Sequence, residues 1–155
     1  MKHSKQKRPK LSKKTSEGVW LYGMHACLAA LSNQKRHCKR LLMIKKVAQN
    51  VQPKNIIPAK LTPEIVSAQD IEKLLPYDAV HQGIALLVLP LPPFQLEDFL
   101  ADSAKSVTFL LLDQITDPHN VGAILRSALA FGVTATIMMR HNAPPMTGTL
   151  AKSAS

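Results

Sequence analysis

The chain has 155 residues, 46% apolar and 5% aromatic, with 20 Lys and Arg against 10 Asp and Glu, a formal charge of +10. That length supports one ordinary domain or two small ones with a packed core, and two cysteines are too few for a disulfide framework. No run reaches the roughly 20 apolar residues of a membrane span, and sparse aromatics argue against base stacking as the main mode of any nucleic-acid contact.

The charge is uneven. Lys2, Lys5, Lys7, Arg8, Lys10, Lys13 and Lys14 precede the first acid. Residues 1–17 carry no apolar period and read as a disordered basic arm. Such an arm is either a solvated tail or a phosphate-seeking one. Val19 to Tyr22 is a short apolar stretch ending at Gly23, and a helix is expected from His25 to Ser32-Asn33, rich in Ala and Leu. Lys39 to Lys46 holds Leu41, Leu42, Met43 and Ile44 and suits a buried strand. Residues 48–60, with Pro53 and Pro58, read mainly as loop. A short strand is expected over Glu64 to Ser67, a helix over Asp70 to Leu75 with Ser67 or Gln69 near its start, and a strand over Gly83 to Leu89.

Pro90, Pro92 and Pro93 mark the expected end of a first domain over 18–90, with a linker and helix over 91–106, the helix at Leu96 to Ala101. Val107 to Leu112 reads as a strand buried on both faces. Asn120 to Phe131 reads as a helix, with either Asp117 before Pro118 or Asn120 as its cap. Its core face is Val121, Ile124, Leu125, Ala128 and Leu129. His119, Gly122 and Arg126 fall on a second stripe. Gly122 either lets an anionic backbone approach the helix start or serves close packing. Val133 to Met138 is the next strand, 141–146 a loop, and 147–155 the start of a helix. The fold class is therefore α/β: a small mixed-sheet part, then a parallel βαβ unit.

His25, Cys27, His37 and Cys38 lack the paired spacing of structural zinc, so no metal is expected. Two lone cysteines and the absence of a clean signal-peptide cleavage site point to a cytoplasmic protein. There is no Walker loop, no H-E-x-x-H and no G-x-G-x-x-G. Lys35, Arg36, Lys39, Arg40, Lys45 and Lys46, with the arm, are the candidate RNA-binding residues, through phosphate; a solvated charged face is the alternative.

Asp113, Asp117, Pro118, Asn120, Gly122, Ile124, Arg126 and Ala128 spell D-x-x-x-D-P-x-N-x-G-x-I-x-R-x-A. This resembles the first signature motif of the SpoU (TrmH-like) RNA 2′-O-ribose methyltransferases. Leu21 to Ala26 and His81 to Ile84 resemble the start and end of the family's substrate-binding domain, and Lys152 to Ser155 the helix after its second strand. The resemblance spans residues 19–155. It implies a SPOUT-type domain over 107–155 whose two further motifs, with the trefoil knot and nearly all of the S-adenosylmethionine site, would lie beyond Ser155. No cofactor-binding residue is therefore expected here, and the family's homodimer is not expected of this chain.

The same resemblance implies methylation of a ribose 2′-hydroxyl in structured RNA, ribosomal rather than transfer RNA, with Asn120 and Arg126 as catalytic residues. A guanidinium offers only donors, so contact with phosphate or developing alkoxide charge suits Arg126 better than a literal base role. Asn120 is expected to orient the loop. The rival reading is an RNA-binding fragment without catalysis.

Overall fold

The computed structural model describes residues 18–50, 56–92, 99, 106–139 and 143–155. The expected arm over 1–17, and the expected helix over 96–101 apart from Phe99, lie outside the described residues. The first part runs β1 (Val19–Tyr22), α1 (Met24–Ser32), β2 (Cys38–Met43), α2 (Lys45–Asn50), β3 (Pro63–Ile65), α3 (Ala68–Glu72) and β4 (Ile84–Val88). Its sheet has the order β1-β4-β2-β3. β4 is antiparallel to β1 and β2, whereas β3 is parallel to β2, so the sheet is mixed.

Strand periodicity explains the layers. Leu41 and Met43 face one way, with Leu21, Ile84 and Leu86, onto Cys27, Ala30 and Leu31 of α1 and Val47 of α2. Leu42 and Ala85 face the other way, onto Ile71 of α3. β4 has strands on both sides and helices on both faces, hence its apolar Ile-Ala-Leu-Leu-Val sequence.

Three expectations are corrected here. The strand expected to reach Lys46 stops at Met43, and α2 begins at Lys45 within what read as strand and loop. Six residues are too short to show a helical period; one buried anchor, Val47, and bonds from Val47 and Ala48 N–H to Ile44 O make the turn. β3 is Pro63–Ile65 rather than 64–67, because Ser67 turns away to cap α3, its Oγ accepting from Asp70 N at 3.2 Å. That cap starts α3 at Ala68, two residues before the expected start.

The second part is β5 (Phe109–Leu112), α4 (Pro118–Ala130), β6 (Ala135–Met138) and α5 (Gly148–Ala154). β5 and β6 pair in parallel from Phe109↔Ala135 to Leu112↔Met138, with α4 as the crossover. Leu112, Val121 and Leu150 form its core, with Leu110, Ile124, Leu125 and Met138 around them. The strand expected to be buried on both faces is not: Leu111 is 66% exposed. α4 and α5 pack on the Leu110 and Leu112 side; on the Leu111 side Phe99 meets Phe109 edge to face, their ring centroids 6.0 Å apart. Leu129, assigned to the core face of the helix, is 78% exposed. It lies at the margin of the apolar stripe, about 100° around the axis from Ala128.

α5 joins the two parts. Leu150 is buried in the second core while Ala151 packs against the first. Tyr22 Oη and Thr149 Oγ1 are hydrogen-bonded at 2.8 Å, and Lys152 Nζ donates to Val80 O at 2.7 Å. Gly148 permits the approach: a Cβ there would collide with Trp20 O and lie 2.6 Å from the Tyr22 ring.

Candidate functional site

The loop from Asp113 to Asp117 leaves the carboxyl end of β5 and starts α4, where open α/β sheets place their ligands. It turns through Gln114 at φ 55°, a left-handed backbone that few non-glycine residues adopt. Asp117 then caps the helix, its Oδ1 accepting from His119 N at 3.0 Å, and Pro118 takes the first turn, where no N–H is needed. Asn120 is thus inside the first turn rather than at the cap. Asp113, Asn120 and Arg126 are all exposed. Asn120 and Arg126 have no hydrogen-bond or ionic partner among the described residues. By helix geometry the two lie about 9 Å apart along the axis and about 120° apart around it. They share a helix and not a face.

Gly122 is buried, and the space above it is occupied. A Cβ there would collide with Ser153 Cβ and stand 2.8 Å from Leu150 O. Next to it, His119 Nδ1 and Ser153 Oγ are hydrogen-bonded at 3.1 Å. Of the two roles open to Gly122, close packing of α4 against α5 is the one this geometry uses. An apolar recess of about 360 Å³ lies beside Leu110, Ile124, Phe131 and Val133. It is on a different side of α4 from His119, Gly122 and Arg126. Among the described residues no group of three or more His, Cys, Asp or Glu could hold a metal ion.

The six basic candidates do not form one patch. Lys35 and Arg36 lie before β2, and Lys45 and Lys46 beyond its far end, roughly 20 Å away at the rise of a six-residue strand. Lys39 sits at the bulge between Cys38 and Arg40. Arg36 is half-buried, Nη1 donating to Leu89 O at 3.3 Å, and burial lowers its pKa. Its Nε has no hydrogen-bond partner among the described residues. Arg40 is held by Glu64 through two bonds, Nε to Oε1 at 2.9 Å and Nη2 to Oε2 at 2.7 Å. The hydrogen bond to Arg40 keeps the Glu64 carboxyl below its ordinary pKa and raises that of Arg40. Lys45 and Lys46 are exposed at the start of α2.

Two families match the sequence in succession. The RNA 2′-O ribose methyltransferase substrate-binding family matches residues 20–94, and the SpoU rRNA Methylase family matches residues 108–155. The chain belongs to the SpoU family. It is 36% identical over 142 residues to an uncharacterized tRNA/rRNA methyltransferase of Synechocystis, covering 87% of this chain and 36% of that protein. It is 36% identical over 144 residues to the 23S rRNA (guanosine-2′-O-)-methyltransferase RlmB of Vibrio vulnificus, covering 87% of this chain and 56% of that one. The SpoU methyltransferase AviRb of Streptomyces viridochromogenes, solved with AdoMet, shares the fold at a TM-score of 0.61 and 17% identity. That likeness covers 87% of this chain and 50% of AviRb. The chain thus spans about a third to just over half the length of these SpoU relatives. Among the described residues no helix is long and apolar enough to cross a membrane.

Sequence reasoning missed the partners that tie the site down. Ser153 against His119, Thr149 against Tyr22 and Glu64 against Arg40 are separated by 34, 127 and 24 residues. No local pattern carries such pairs. The one signal was the likeness of Lys152 to Ser155 to the helix after the second strand in the family.

Proposed function

We propose that the protein belongs to a machinery that methylates ribose 2′-hydroxyls of structured RNA, ribosomal rather than transfer RNA, with S-adenosylmethionine as methyl donor. In this reading residues 18–90 hold the RNA and 107–155 present Asn120 and Arg126. The observation that carries it is the capped loop and helix from Asp113 to Ala128, which leaves the Arg126 guanidinium exposed and unpaired among the described residues. From there it can donate to a ribose-flanking phosphate or to developing oxyanion charge. Asn120, about 120° away around the helix, acts on the loop and not beside Arg126. Lys45, Lys46, Lys35 and Lys39 supply phosphate contacts. The names of the relatives support the reaction class and the family of residues 20–94 supports the RNA.

The gap at Gly122 is filled by Ser153 and the nearby recess is apolar. A second reading is an RNA-binding unit without turnover, supported by the match of residues 20–94 to the RNA 2′-O ribose methyltransferase substrate-binding family. Calorimetric titration with S-adenosylmethionine separates the two. No saturable heat is expected; micromolar binding would place a cofactor site within this chain. In an intact homologue that carries these residues, Arg126→Lys should abolish transfer of labelled methyl to ribosomal RNA while keeping the fold and cofactor binding, which tests the role of Arg126. Near-normal transfer by that variant would remove it.

A further inference from the structure

On one face of the four-stranded sheet, Trp20 of β1, Leu87 of β4 and Arg40 of β2 lie side by side in register. The Arg40 guanidinium reaches across this row to stand over the Trp20 ring, 5.9 Å from its centroid. From the other side Glu64 of β3 grips the same guanidinium with two hydrogen bonds, 2.9 and 2.7 Å. The four strands thus contribute one continuous assembly of carboxylate, guanidinium, Leu87 and indole. It is not sealed: the side chains of Arg40 and Glu64 remain 49% and 41% exposed.

A charge gripped in this way is a poor phosphate reader, because Glu64 already neutralises it and would repel an incoming anion. A guanidinium held flat by a two-point carboxylate contact has another use. Its planar surface stacks on nucleobases, as aromatic rings do, and unpaired bases of RNA are recognised on such planes. The indole behind it adds polarisable surface and cation–π attraction.

We propose that Arg40, clamped by Glu64 and backed by Trp20, is a stacking platform for one unpaired nucleobase of the RNA. This rests on the reading of residues 18–90 as an RNA holder and adds to it a contact with a base rather than with phosphate. The surrounding charge fits a polyanion. The chain carries +10 overall, and seven basic residues among the first 14 precede the strand that bears Trp20. Phosphates are held by lysines and by that segment, while one base lies on Arg40.

Trp20 is the single tryptophan of the chain, which makes the test direct. The full 155-residue chain is titrated with an unstructured, end-labelled oligoadenylate. Anisotropy of the label reports binding and indole emission reports the platform. The expected result is a saturable change in Trp20 emission that tracks the anisotropy. Arg40→Lys, which keeps the charge and loses the plane, should weaken binding about tenfold. Lys45→Ala should reduce the salt dependence and leave the emission change in place. Circular dichroism and thermal unfolding confirm that each variant folds, and Trp20→Phe gives a second variant that keeps a ring. Binding that persists with unchanged emission and an unaffected Arg40→Lys overturns the platform and leaves the RNA-holding reading standing. If the folded chain binds no RNA, single-stranded or structured, the RNA-holding reading falls as well.

Discussion

Gly122 and Cys27 show how much a single position carries. At Gly122 a methyl group would meet Ser153 Cβ and the Leu150 carbonyl, backbone that cannot rotate away. Gly122→Ala should therefore lower stability by about 1–3 kcal/mol, as overpacking does, despite alanine's better helix propensity. A denaturant titration measures it, and a stability gain would show that α5 does not sit on α4 in solution. Cys27 is fully buried, its thiol pushed up to about 12 from 9.0 by burial first and by Cys38 second. The folded state thus favours the neutral thiol. The resulting stabilisation is complete below pH 9 and fades as pH rises toward 12. Unfolding midpoints across that window should fall less steeply in Cys27→Ala than in the parent. Parallel slopes would mean that the thiol does not contribute to alkaline unfolding.

At the level of elements, local chemistry was legible where the chain carried it locally. Asp117-Pro118 announced the start of α4, and the apolar spacing of Val121, Ile124, Leu125 and Ala128 announced its packed side. The cap gives a clear expectation. Asp117→Ala should cost about 1 kcal/mol in equilibrium unfolding, while Asp117→Asn should cost far less, since either side chain accepts from His119 N. Equal losses would indicate that the carboxylate's charge matters more than its hydrogen bond. What stayed illegible has a common cause. α2 holds one buried residue, Val47, too few to make a pattern, and its existence depends on the sheet beneath it. Leu129 and Leu111 looked like core residues because hydrophobicity records what could be covered; only the arrangement of neighbours decides what is. Basic residues close in sequence were separated by the length of β2, and two of them turned out to hold Leu89 O and Glu64. Charge is readable from sequence, but its partner is not when that partner arrives 24 or 53 residues later.

For the whole molecule the decisive element is α5. One face of it fills the gap at Gly122 and another rests on Tyr22 and Val80, so it couples the first part to the helix that bears Arg126. Gly148→Val, placed against Trp20 O and the Tyr22 ring, should loosen that coupling. Scanning calorimetry should then show two unfolding events more widely separated than those of the parent, with the circular dichroism of the folded state little changed. A single unaltered transition would count against the coupling. The same feature bears on how the protein is made. A chain emerges from the ribosome at roughly 5–20 residues per second, first residues first. Tyr22 is therefore outside the exit tunnel for something like ten seconds before Thr149, 127 residues later, can reach it. Once β4 has emerged, 66 residues after Tyr22, the first sheet has its strands but an uncovered edge at β1, so the nascent chain is most open to proteases and chaperones there, until the arrival of α5 closes it.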